Sequence, residues 1–304
     1  MRHTKSSFTR LATAFLLMMI PMAAYGQGAT DIYLVRMKVS GEKYTLSKSV
    51  KINPNEGYNN QPSFHPDGGS VLYSSQSGTN TDIYRYDIET GKTMRLTNTP
   101  ESEYSPIVMP DGDRFSVIQL VIYDGPRKGA QPLIAFPLTG GGSELIYEEG
   151  EKVGYHAWID PHKVAMFILG APNFLRIADL KNVSSKRIAE NIGRSLYKIP
   201  DMEAISFSQS QEGGGEVIMK YDLVSNKTQS IVPMLEGNSF YAWTPDGALI
   251  MGVGAKLYRV KPGTEKKWHE IGDLESFGVH GISRLAIGPD MRWLAVVDSP
   301  GTGR

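Results

Sequence analysis

Across 304 residues, 32 lysines and arginines balance 32 aspartates and glutamates, so no field of either sign invites nucleic acid or an anionic lipid surface. The lack of cysteine excludes disulfide stapling and a lipid anchor on an N-terminal cysteine, and a chain of this length must stand on its own core. Glycine at 32 and proline at 18 point to a fold with many tight turns.

At the N-terminus, Arg2, His3, Lys5 and Arg10 flank an apolar run from Leu11 to Ala24, and Ala24-Tyr25-Gly26 puts small residues at the two positions a signal peptidase reads. The pattern predicts an export signal over 1–26, cleaved after Gly26, and a periplasmic or secreted product. The apolar run is shorter than the roughly 20 residues of a membrane helix and is broken by Pro21. No membrane span is expected after cleavage.

From Asp31 onward the chain is punctuated by one repeated turn. Pro66-Asp67-Gly68, Pro110-Asp111-Gly112, Pro161-His162-Lys163, Pro200-Asp201-Met202, Pro245-Asp246-Gly247 and Pro289-Asp290-Met291 follow one another at spacings of 44, 51, 39, 45 and 44 residues. Each lies between two short apolar stretches, such as Ser63-Phe64 and Val71-Leu72-Tyr73. Proline pre-sets φ, aspartate bonds backbone amides ahead of it, and glycine accepts positive φ, so each is read as a hairpin joining the first two strands of a blade. A second strand–turn–strand unit follows, as in Asp82 to Asp87, Glu89-Thr90-Gly91-Lys92 and Thr93 to Leu96.

Six first hairpins are followed by only five second ones. The missing pair is at the start, where Asp31-Ile32-Tyr33-Leu34-Val35-Arg36 and the turn Ser40-Gly41-Glu42-Lys43 mirror the strand at Asp82. The expectation is an all-β, single-domain, six-bladed β-propeller of four-stranded antiparallel blades over 27–304. Its ring is closed by N-terminal strands pairing with the C-terminal hairpin. Phe64, Trp158 and Trp243 recur at one place in the first strand and are expected between blades.

The run from Gln61 to Ser75, completed by Asp82-Ile83-Tyr84, Thr90-Gly91-Lys92 and Arg95-Leu96-Thr97, resembles the WD-like, Pro-Asp-Gly repeat of TolB-type propellers. The likeness is sharpest in the first two blades, returns at Trp243-Thr244-Pro245-Asp246-Gly247, and is weakest at Pro161-His162 and Pro200-Asp201. It extends over the chain after the signal and implies a six-bladed ring outside the cytoplasm with a binding role. TolB itself carries a further N-terminal α/β domain, which is not expected here.

In a propeller the loops leading into each first strand share a face with those joining the second and third strands, around the central channel. Read at a fixed offset before each proline, that face offers Asn60, Gln61, Glu103, Tyr104, Tyr155, His156, Arg194, Asn238, Phe240, His280 and Arg284. The mixture of polar, aromatic and charged groups suits a peptide segment, a glycan or another polar ligand. No Gly-x-Ser-x-Gly elbow occurs, and Gly140-Gly141-Gly142 and Gly213-Gly214-Gly215 lack the surroundings of a phosphate loop. The reading is a monomeric, non-enzymatic platform with no cofactor and no catalytic residues, binding a protein or glycan partner of the cell envelope. The alternative is a metal-dependent propeller enzyme like the oligosaccharide lyases, which hold a divalent metal with histidines and a glutamine. Gln61, His156 and His280 are its only candidate ligands, because His65 and His162 fall in the opposite turns and His269 on an outer strand.

Overall fold

In a computed structural model, residues 28–299 are described, and the export signal read over 1–26 lies outside them. The described residues form six four-stranded antiparallel sheets. Strands β1 (Asp31–Ser40) and β2 (Lys43–Lys51) open the chain. Blade 1 holds β3 (Asn59–Phe64), β4 (Ser70–Ser77), β5 (Asn80–Asp87) and β6 (Thr93–Arg95). Blade 2 holds β7 (Ser102–Val108), β8 (Arg114–Leu120), β9 (Leu133–Pro137) and β10 (Glu144–Tyr147). Blade 3 holds β11 (Lys152–Asp160), β12 (Lys163–Leu169), β13 (Phe174–Asp179) and β14 (Ser184–Glu190). Blade 4 holds β15 (Ile192–Lys198), β16 (Ala204–Ser210), β17 (Glu216–Asp222) and β18 (Lys227–Pro233). Blade 5 holds β19 (Tyr241–Trp243), β20 (Leu249–Val253), β21 (Lys256–Val260) and β22 (His269–Asp273). Blade 6 is composite, with β23 (Ile282–Ile287) and β24 (Trp293–Asp298) joined by β1 and β2.

The first strand of each blade is innermost, and β3, β7, β11, β15, β19 and β23 touch in turn around the channel. The clasp is the antiparallel pairing of β1 with β24, from Asp31 opposite Asp298 to Arg36 opposite Trp293. It leaves no open edge between the two ends of the ring.

The repeated turn works as its chemistry requires. The Asp67 carboxylate accepts the Gly69 amide at 2.7 Å, and the Asp290 carboxylate accepts the Arg292 amide at 2.9 Å. Blade 3, where histidine follows proline, uses Asp160 instead, one residue before the proline, to accept the amides of His162 at 2.7 Å and Lys163 at 2.8 Å. A second aspartate closes the outer hairpins: Asp87, Asp179 and Asp222 accept the amides of Thr90, Asn182 and Ser225. Those bonds hold all three carboxyls below their usual range.

The core is not one mass but six apolar clusters, one at each blade interface. Trp158 and Trp243 sit there as expected, and their indoles carry a polar function as well. Trp158 Nε1 donates to Ser116 Oγ at 2.9 Å, and His156 Nε2 lies 2.7 Å from the same oxygen. Two blades on, Trp243 Nε1 donates to Ser206 Oγ at 2.8 Å, and the Tyr241 hydroxyl donates to it at 2.9 Å. Each serine, wholly buried on the second strand of one blade, thus ties down the first strand of the next.

Blade contacts are close enough to require glycine in places. A Cβ on Gly252 would lie 2.4 Å from Ile282 Cγ2 and 2.6 Å from its Cβ, both on a branched chain that cannot swing away. Gly252→Ala is therefore expected to cost about 1–3 kcal/mol through overpacking between blades 5 and 6. Chemical denaturation checks it, and an unchanged midpoint would show that the ring widens there without strain.

Candidate binding site at the channel mouth

The inner strands do not run at equal length. Strand β19 has three residues, whereas β11 has nine and β15 seven. The segment leading into β19 therefore leaves its sheet early, and a cleft of about 1250 Å³ opens beside it. Its walls include Leu169, Gly170 and Asn173, Gln211 with Gly214 and Gly215, and Pro233 to Phe240, which are loops of both expected kinds on one face. Arg194, Asn238 and Phe240 of the sequence-derived set line it.

Deeper in, the channel is crossed. Arg284 on blade 6 donates from Nη2 to the hydroxyl of Tyr155 on blade 3, the opposite blade, at 3.2 Å. Its guanidinium carbon lies 3.8 Å from the ring centroid of Phe240 and 5.0 Å from that of Tyr155. The Tyr155 ring meets Phe167 and Phe240 edge-on, at 5.9 and 6.4 Å. Burial alone would raise the Tyr155 phenol, but the charge and hydrogen bond of Arg284, with the charge of Arg194, outweigh it and leave the phenol below its usual range.

Tyr58 is the residue that sequence reasoning missed. It packs edge-on against Tyr104 with centroids 6.1 Å apart, and burial pushes its phenol far up. Its signal was an aromatic two places ahead of Asn60, but the bulge between Asn60 and Ser63 breaks a constant offset there. With it, the mouth draws one group from each blade: Tyr58, Tyr104, Tyr155, Arg194, Phe240 and Arg284.

The other sequence-derived residues are placed differently. Gln61, buried and at φ 57, accepts from Ser74 Oγ and the Ser105 amide, both at 2.8 Å, and ties blade 1 to blade 2. Asn60 accepts the Gln61 amide beside it. Asn238 donates to the carbonyls of Gly252 at 2.7 Å and Ile282 at 2.9 Å, tying blade 5 to blade 6. Glu103 is fully buried, bonded by Thr99 and Gln119, and burial pushes its carboxyl up, reinforced by the charge of Asp82. His156 is not on the face at all. It lies in the interface of blades 2 and 3, where burial lowers its imidazole to about 3. His280 is exposed on blade 6, its amide donated to Asp298.

Gln61, His156 and His280 therefore do not converge as a metal ligand set. Among the described residues, no three His, Asp or Glu side chains are grouped to hold a metal ion.

No family model matches the chain. TolB, a Tol-Pal system protein of Francisella tularensis, is 32% identical over 105 residues, which cover 30% of this chain and 24% of that protein. The match thus spans about a quarter of the curated relative's length. Among solved structures, a protein of Agrobacterium tumefaciens described as a TolB candidate superposes with a TM-score of 0.67 at 15% identity, over 90% of this chain and 99% of that one. This is a TolB-like six-bladed propeller. An oligogalacturonate lyase in complex with manganese also aligns with the TolB-like ring, with a TM-score of 0.53 at 12% identity, over 91% of this chain and 99% of the lyase. At such identities the likeness is one of fold.

Proposed function

We propose that this TolB-like propeller is an exported, non-enzymatic protein that docks a protein partner of the cell envelope on the face bearing the channel mouth. The observation that carries the reading is the convergence of one aromatic or arginine side chain from every blade beside an open cleft. Rigid inner strands hold that ring, as binding surfaces on propellers require. The same face exposes Ile122, Tyr123 and Leu169, apolar groups that a protein surface could cover. Export is supported by the signal pattern over 1–26. Among the described residues no helix is long and apolar enough to cross a membrane.

A photo-crosslinking residue placed at Leu169 on this face, or at Val183 on the opposite one, tests the reading in the source cell. Both positions are exposed, at 43% and 90%. Discrete adducts are expected from position 169 and none from 183. Adducts only from 183, or none from either, would refute docking on this face.

A further inference from the structure

Two arginines with little exposure, Arg176 and Arg259, and the exposed Arg95 each hold a carboxylate. Arg95 pairs with Asp82 at 2.7 Å, Arg176 with Glu149 at 2.8 Å and Arg259 with Glu265 at 2.6 Å. Arg284 has no such partner among the described residues. Of its five N–H groups, one reaches the Tyr155 hydroxyl, and the buried Nε is left without a hydrogen bond. Arg194, exposed in the cleft wall, forms no ion pair among the described residues either, and its field reaches Tyr58 and Tyr155 together with that of Arg284. Taking a guanidinium out of water without a counter-charge is costly. The faces of Phe240 and Tyr155 recover only part of that cost.

We infer that the channel mouth contains a carboxylate-binding subsite built on Arg284 and Arg194, which takes an acidic peptide segment of the docked partner. The inference rests on the reading that a protein docks on this face. Arg284 presents a planar fork held flat by Phe240, the geometry a carboxylate accepts through two parallel bonds. Two carboxylates line the cleft, half-buried Glu216 and exposed Glu236, and among the described residues neither forms an ion pair with Arg284 or Arg194.

A uronate sugar carries the same group, but the rings here do not suit one. Sugar sites offer an open aromatic face, whereas Phe240 has its face covered by Arg284, and Tyr58, Tyr155 and Tyr104 meet their neighbours edge to face. The cleft beyond is walled by Gly193, Gly214, Gly215 and Gly237, which leave backbone open to an extended chain.

The probe is N-acetylated hexaglutamate, titrated against the purified chain by calorimetry, with hexaglutamine and trigalacturonate as the comparison arms. Hexaglutamate is expected to bind and hexaglutamine not. Arg284→Gln should weaken binding by about tenfold or more, as loss of a bidentate charged pair does. Arg194→Gln, at an exposed position that cannot disturb the ring, should weaken it by roughly three- to tenfold. No binding of hexaglutamate, equal binding of hexaglutamine, indifference to both substitutions, or tighter binding of trigalacturonate would each overturn the subsite. Crosslinks from position 169 that persist in such a case would leave protein docking standing, so the two readings fail separately.

Discussion

Ser116→Ala should lower the unfolding free energy by about 2–5 kcal/mol, although it removes a single oxygen. That oxygen accepts from the Trp158 indole at 2.9 Å and lies 2.7 Å from His156 Nε2, which donates to it in the tautomer that leaves the Ser116 hydroxyl hydrogen for the Ile107 carbonyl. Ser116 in turn donates to the Ile107 carbonyl at 3.3 Å. All three side chains are at least nine-tenths buried, so no water replaces the lost acceptor. Each donor stranded in this way costs roughly 1–3 kcal/mol. In a protein of this size the expected fall in melting temperature is on the order of 5 °C. Ser206→Ala should behave in the same manner, since Tyr241 and Trp243 converge on Ser206 with the same geometry and Ser206 donates to the Tyr197 carbonyl. The control is Ser63→Ala, which removes one donor to the Pro106 carbonyl and should cost about 1 kcal/mol. If all three variants melt alike, the serine nodes are packing features and not braces.

The two nodes also mark where sequence reasoning held and where it failed. Turns are local chemistry, so the six proline hairpins could be counted along the chain, and the clasp followed from the one strand pair left over at Asp31. Even blade 3 kept its turn by drawing on Asp160. Side-chain direction on an inner strand is not local. Strand β11 buries His156, Ala157, Trp158 and Ile159 in succession, because neighbouring blades cover both of its faces and alternation is lost. Bulges between Val153 and Tyr155, and between Trp158 and Asp160, shift its register further. Counting back from a proline therefore reached both Tyr155, which meets Arg284 across the channel, and its neighbour His156, which the strand turns into the blade interface. The same counting found Arg284 and Phe240 but gave no hint that they touch, since their contact joins different blades.

That misplaced histidine makes the fold sensitive to acid in a predictable window. With Nε2 donating to Ser116, the neutral tautomer leaves Nδ1 bare, and Nδ1 has no partner in the structure. Protonation would create a buried N–H and a charge with nothing to receive either, and burial accordingly lowers the imidazole from 6.5 to about 3. The unfolded chain takes up a proton near pH 6.5 that the folded chain refuses until about pH 3. The contribution is thus intact above pH 6.5 and is lost progressively as pH falls toward 3, by up to about 1.4 kcal/mol per pH unit. Glu103, Asp82 and Glu216 act in the opposite direction, because burial raises their carboxyls and favours the folded state in acid. A pH profile of the native protein alone would mix the two effects. His156→Gln separates them, since its amide can still donate to Ser116 but does not titrate, and the three carboxyls are common to both proteins. At pH 7 the native protein should be the more stable, and between pH 7 and pH 5 its advantage should shrink by about 2 kcal/mol. Urea midpoints at the two pH values measure that difference directly. Parallel profiles for the two proteins would mean that water reaches Nδ1 and that His156 does not sit in a dry interface.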